Sequence, residues 1–201
     1  MKQELQPHTR TIHRFLGEIS APWEYLEKFE VRFLREHKAS HTAQFAMHAF
    51  DEMVEHIEAM NLSGMNCYVC VNPVPNDAPR NVKDEHIKRA YFAYVDADDL
   101  GAAERCREFE AFKPHMHVTT GTIPFIRCHT YYKFSQPLDH MDQWRQIQKN
   151  LIAQLGTDKA IHNASRIMRI AGTLSYPHKA KALKGYKTEL TRLKIGGEYV
   201  Q

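Results

Sequence analysis

Residues 91–100 read YFAYVDADDL, and no other stretch restricts the fold as sharply. Tyr91 to Val95 form the aromatic and β-branched run of a buried strand, yet the run stops at Asp96, Asp98 and Asp99. Aspartate is among the poorest strand formers. A core strand therefore delivers carboxylates at its tip. Asp96 and Asp98 are two apart, so on a strand they share a face, about 7 Å apart along the backbone. Two carboxylates so placed suit a pair of divalent ions ~3.5–4 Å apart, the arrangement used for in-line phosphoryl transfer. The bland alternative is a strand-to-helix corner in which Asp99 caps the next helix.

Around this strand the chain alternates between two periods. The first sixty residues read as helical: APWEYLEKFEVRFLREHK carries Trp23, Leu26, Phe29, Phe33 and Leu34, and HTAQFAMHAFDEMVEHIEAM carries Phe45, Ala49, Met53, Ile57 and Met60. MNCYVCVNP reads as a strand, followed by a loop rich in Pro and Asn. After the Asp-tipped strand come a helix over LGAAERCREFEAF and a strand pair, HMHVTTG and RCHTYYKF, around the turn GTIP. A further helix starts near Leu138 and Asp139 and stops at Gly156. RIMRIAGTL and YKTELTRLKI add short strands. The expected class is α+β, a mixed or antiparallel sheet flanked by helices. The expected division is a helical N-terminal segment over 1–60 packed on a core over 61–201.

The 201 residues carry a formal charge of +3, which permits nucleic-acid binding without requiring it. Basic residues thicken in HKAKALKGYK, residues 178–187, the segment best suited to meet phosphate. No apolar run nears the roughly 20 residues of a membrane span, and the N-terminus is too polar for a signal peptide, so the expected location is cytoplasmic. Cys67 and Cys70 have C-x-x-C spacing, but they lie on a predicted strand, where positions three apart face opposite ways. With no second such pair, zinc is not expected.

Further residues join the acids. His129 lies on a strand after a Gly- and Pro-bearing turn, and Asp158 is followed at eight and eleven residues by Arg166 and Arg169. The guanidinium fork matches phosphate oxygens, so acids, a histidine and paired arginines make a site for joining nucleotides.

Asp-x-Asp at a strand end, a later strand with His, then Asp-x7-Arg-x2-Arg followed by AGT resembles the archaeo-eukaryotic primase superfamily, in its plasmid and phage primase-polymerase branch. The resemblance runs from about Asn61 to Tyr176, with TGT, CHTYY and SRIMRIAGT its most specific words. It implies an RRM-like catalytic core and a DNA-templated nucleotidyltransferase that makes or extends primers on single-stranded DNA. It also implies two Mg²⁺ or Mn²⁺ ions, NTP or dNTP substrates, and a helicase partner, fused or separate. Asp96, Asp98 and Asp158 would hold the metals, and His129, Arg166 and Arg169 would contact the triphosphate. Two positions depart from the pattern. Arg127 stands where relatives usually have Ser, and would add a phosphate contact or point outward. Ser175 stands near the place of a common Lys, leaving Lys179 as the candidate for that role. The template would lie on a basic surface with Lys179, Lys181 and Lys184.

Two rivals remain. His115 and His117 share a strand face, as metal ligands do in rolling-circle (HUH-type) nucleases, with Tyr131 or Tyr132 as the nucleophile. That reading leaves Asp158, Arg166 and Arg169 without work. Alternatively, Tyr91, Tyr94, Tyr131 and Tyr132 would stack on single-stranded nucleic acid in a non-catalytic module. Such a module has no use for three acids, which repel phosphate unless metals neutralise them.

Overall fold

Ile12, Phe15, Leu16 and Ile19 recur at helical spacing and are fully buried, so α1 (Thr9–Ser20) presents one apolar stripe to the core. The computed structural model describes residues 5–36, 38–109, 111–196 and 198–200. After α1 come β1 (Lys28–Arg35), β2 (Lys38–Ala46), α2 (Phe50–Leu62) and β3 (Asn66–Cys70). The Asp-tipped segment is β4 (Ala90–Ala97), followed by α3 (Leu100–Glu108), β5 (Met116–Gly121), β6 (Arg127–Leu138) and α4 (Met141–Leu155). The remainder is β7 (Ile167–Arg169), β8 (Leu174–Ser175), α5 (Lys179–Leu183), β9 (Glu189–Leu190), β10 (Arg192–Ile195) and β11 (Glu198–Tyr199).

The class is α+β, as expected. One sheet has the order β2-β1-β3-β7, a second β11-β10-β5-β6-β4, and β8 pairs with β9. The pairings within these sheets are antiparallel. A single hydrophobic core runs through both larger sheets, from Phe29 and Val69 in the first to Tyr94 and Tyr131 in the second. Among the described residues no helix is long and apolar enough to cross a membrane.

The first sixty residues are not helical throughout. Lys28–Arg35 and Lys38–Ala46 are paired strands, and β1 lies between β2 and β3 inside the sheet. The decisive period there is two: Phe29, Val31 and Phe33 are fully buried, whereas Leu26, which the helical stripe required inside, is 69% exposed. Glu30 is buried within the strand, where it accepts bonds from Arg32 and from the Val82 N–H. Only the second half of the other predicted helix is one, with Met53 and Ile57 buried as the periodicity requires.

Three boundaries also move. β6 runs through Leu138, so α4 starts at Met141 rather than at Leu138 and Asp139. α3 stops at Glu108, short of Lys113-Pro114. Part of the basic segment 178–187 is α5. Gly156 ends α4 in the left-handed conformation, φ 60°, as its position suggested.

Candidate active site

Both faces of β4 are covered from Ala90 to Val95, but the strand is the hydrogen-bonding edge of its sheet. Its open backbone groups are met by side chains and a turn. Trp144 Nε1 donates to the Phe92 carbonyl at 2.9 Å, Gln148 bonds both backbone groups of Tyr94, and the Asp158 N–H donates to the Asp96 carbonyl at 3.0 Å. That last bond brings Asp158 beside Asp96 across more than sixty residues of chain. Asp98 lies just past the strand end, and Asp99 caps α3 by accepting from the Ala102 N–H at 2.8 Å. The corner reading and the site reading therefore apply to different aspartates.

A cleft of about 360 Å³ opens here. Its lining includes Asp96, Asp98, Asp158, Arg127, His129, Arg166 and Arg169, so seven of the eight side chains singled out by sequence meet in one place. Lys179 is not among the lining residues, and its backbone N–H bonds Glu36. Lys181, two residues further along α5, lines the cleft, with Nζ 3.4 Å from Asp98 Oδ2.

The charges in the cleft are unequally matched. Asp98 has Lys181, and Asp158 has Arg166 at 3.9 Å while its other oxygen accepts from the Ala160 N–H. Asp96 has no such partner. Its side chain is 19% exposed, and Oδ1 is buried without a hydrogen bond. Burial, then repulsion from Asp98 and Asp158, pushes its carboxyl up to about 7. His129 sits directly opposite in the β4–β6 ladder, with Nε2 3.6 Å from Asp96 Oδ1. Burial and the nearby Arg169 and Arg166 hold its imidazole down at about 3, so it is neutral.

The arginines differ from one another. Arg169, paired with Tyr68 across β7 and β3, lies 4.7 Å over that ring and donates to the Tyr68 hydroxyl and to Asn66 Oδ1. Arg166 is one-third exposed. Arg127 points inward and is buried, donating to the Ile123 carbonyl, 3.4 Å from Glu189 and 4.4 Å over the Tyr186 ring. A Cβ at Gly121 would come within 1.8 Å of its guanidinium, so only glycine allows this packing. Sequence reasoning did not find Asn66, Tyr68, Tyr186 or Glu189. Their roles arise from strand pairing and chain return, which leave no local signal.

Among the described residues no group of three or more His, Cys, Asp and Glu is gathered closely enough to hold a metal ion. Two of the acids are paired instead with Lys181 and Arg166. The donor set nonetheless suits a hard divalent cation, because carboxylate oxygens match Mg²⁺ or Mn²⁺ and buried Asp96 lacks a counter-charge. The other candidate chemistries fare worse. Tyr131 is fully buried and Tyr132 nearly so, out of reach of a DNA backbone, and His115 and His117 are engaged by Glu18 and Thr130. Tyr91 and Tyr94 are buried too, which removes the stacking surface. Cys67 and Cys70 are both buried, with thiols pushed up to about 12 by burial.

No family model and no curated protein matches this sequence. Solved structures do match its fold. The AEP domain of the cyanophage S-2L primase-polymerase superposes with a TM-score of 0.64 at 20% identity, covering 98% of this chain and 95% of that one. The primase RepB′ gives 0.63 at 16% identity, covering 92% of this chain and 55% of that one. The catalytic domain of RepB′ in complex with initiator DNA gives 0.58 at 16%, covering 94% and 85%. The chain has the fold of these primase and primase-polymerase catalytic domains.

Proposed function

We propose that the cleft is the active site of a DNA-templated nucleotidyltransferase, a primase-polymerase that joins nucleotides 5′ to 3′ on single-stranded DNA. One observation carries the reading. Three carboxylates from two chain segments, tied by the Asp158-to-Asp96 backbone bond, share a 360 Å³ cleft with Arg166, Arg169, Lys181 and His129 in a primase-type fold. Asp96, Asp98 and Asp158 would hold Mg²⁺ or Mn²⁺, and among the described residues lining the cleft they are its carboxylates. Bound divalent ions supply Lewis acidity for the attacking 3′-hydroxyl and neutralise phosphate charge.

The protein's own groups do the rest. Arg166 and Lys181 present positive charge to the triphosphate and to pyrophosphate as it leaves. Arg169 is pre-oriented for the same task by Tyr68 and Asn66. His129, kept neutral, offers a hydrogen bond to a phosphate oxygen without adding charge beside Asp96. Burial, then Asp98 and Asp158, raise the Asp96 carboxyl, so cation binding there would be linked to loss of its proton. Arg127, with its charge met by Glu189, fastens β9 and the 121–123 turn along the cleft wall rather than serving as a free phosphate ligand.

The test is direct. The protein is incubated with unprimed and primed single-stranded DNA, labelled NTPs or dNTPs, and Mg²⁺ or Mn²⁺, and the products are sized. Template-dependent products are expected. Their absence under every combination would end the proposal, and a covalent protein–DNA adduct dependent on Tyr131 or Tyr132 would replace it with the nuclease reading.

A further inference from the structure

Gln148 is fully buried on α4, and each polar atom of its side chain is used. Its Oε1 accepts from the Tyr94 N–H at 3.2 Å, while Nε2 donates to the Tyr94 carbonyl and, at 2.8 Å, to the Ile161 carbonyl. The first two contacts reproduce the exchange of bonds between paired residues of neighbouring strands. The amide thus acts as a one-residue strand on the open edge of β4, where unpaired groups cannot stay dry. Trp144, one turn earlier on the same helix face, does half as much by bonding only the Phe92 carbonyl.

The third contact is not needed to satisfy β4. It reaches the turn that carries Asp158. That turn is a closed unit, because the Ile161 N–H donates to the Asp158 carbonyl at 3.3 Å and the Ala160 N–H to Asp158 Oδ1 at 2.9 Å. Among the described residues, its backbone tie to β4 is the Asp158-to-Asp96 bond. One amide therefore grips the strand two residues before Asp96 and the turn three residues after Asp158.

We infer that Gln148 is a positioning residue for nucleotidyl transfer, fixing the separation of the Asp96 and Asp158 carboxylates from behind the cleft. The inference rests on the reading that these acids hold the divalent ions. Gln148 touches neither substrate nor ion. Its effect runs through two backbone segments that cannot shift independently while its amide is in place.

Gln148→Met keeps length and approximate volume while removing all three bonds. Trp144→Phe removes a bond from the same strand edge without touching the turn, and serves as the control. In Gln148→Met, single-turnover extension should fall on the order of tenfold to a hundredfold, the scale of a small misplacement at a reacting centre. The Mn²⁺ concentration for half-maximal extension should rise about tenfold, as when a partner supporting metal ligands is lost. KM for nucleotide should stay within about twofold, because the phosphate-binding residues are not moved. Trp144→Phe should change neither rate nor metal dependence, whatever it does to Tm. Equal behaviour of the two variants would overturn the inference.

Amide hydrogen exchange in the unmodified protein gives a second measure that does not depend on a variant folding. The N–H groups of Tyr94 and Asp158 should open together at one rate. Asp158 exchanging about a hundredfold faster than Tyr94 would show the turn opening alone and sink the claim. If the unmodified protein extends no primer at all, the proposed reaction fails, and the exchange measurement alone decides whether Gln148 couples the two segments.

Discussion

The two walls of the cleft are built differently. The carboxylate wall is held from behind: Asp96 and Asp158 are joined through backbone, and Gln148 bonds both the strand before Asp96 and the turn after Asp158. The basic wall is held lightly. α5 is five residues long with none buried, and Lys181 reaches Asp98 across an exposed pair. Arg169 is intermediate, braced by Tyr68 and Asn66. The difference fits the partners each wall is proposed to meet. Divalent ions tolerate little error in ligand position, whereas a triphosphate or a template strand is met by long side chains that adjust.

The strongest way to break this comparison is to remove charge from the rigid wall without disturbing its bonds. Asp158→Asn keeps an oxygen for the Ala160 N–H, and the backbone bond to Asp96 is unaffected. A turn residue would tolerate that change, since Asn caps about as well as Asp. A metal-holding carboxylate would not. Single-turnover extension should fall by at least ~10²-fold while nucleotide affinity stays nearly normal, and Asp96→Ala should abolish incorporation. Near-normal extension in Asp158→Asn would return Asp158 to a turn role and leave the site with two of its three proposed catalytic acids.

A somewhat smaller effect sharpens the electrostatics of that wall, measured with EDTA present. Asp96 is raised from 3.8 to about 7 on folding, so the stability it contributes is full at low pH and is lost as pH rises through about 7. His129 is lowered from 6.5 to about 3, so its contribution is present above 6.5 and lost as pH falls toward 3. Between about pH 4.5 and 6 the folded state carries one proton on this pair and the unfolded state also carries one, so the two slopes cancel. Each variant should expose the other group. Relative to the unmodified protein, Asp96→Asn should gain stability as pH rises through this range, by up to about 1.4 kcal/mol per pH unit. His129→Gln should lose stability with a similar slope. Urea midpoints at several pH values measure both, and slopes of the same sign would show that the pair is not held as one acid and one neutral base.

How much of this was legible in the sequence follows the same division. β4 and its acids were readable because an apolar run ending in Asp is a local signal, and HMHVTTG and RCHTYYKF were readable as a strand pair around the turn GTIP. The first sixty residues were not, because Phe29 and Phe33 satisfy both a four-residue helical spacing and strand alternation. Leu26 fitted the helical stripe, and its observed exposure reverses that choice. In the site, residue types at fixed spacing found the acids, His129, Arg166 and Arg169. What holds them was invisible, since Gln148, Tyr68, Asn66 and Glu189 act across 50 or more residues, or through backbone atoms that carry no sequence signature. The choice between Lys179 and Lys181 turned on α5, whose short helical turn the basic composition did not announce.

That choice supplies the smallest expected effect. Lys181 faces Asp98 at 3.4 Å and the Tyr186 ring at 5.3 Å, and both members of the ion pair are more than one-third exposed or close to it. An exposed pair contributes about 0–1 kcal/mol, so Lys181→Ala should leave Tm almost unchanged. Its loss should instead be felt by an incoming anion. Nucleotide affinity should fall about threefold to tenfold at low salt, and the deficit should shrink as ionic strength shortens the Debye length. Lys179→Ala, outside the cleft, should stay within about twofold of the unmodified protein under the same conditions. Titrating nucleotide into both variants at two salt concentrations separates them. If Lys181→Ala bound nucleotide normally yet lost extension as severely as Asp158→Asn, Lys181 would belong to the rigid, chemistry-bearing wall, and the contrast between the two sides would fail at the residue where they touch.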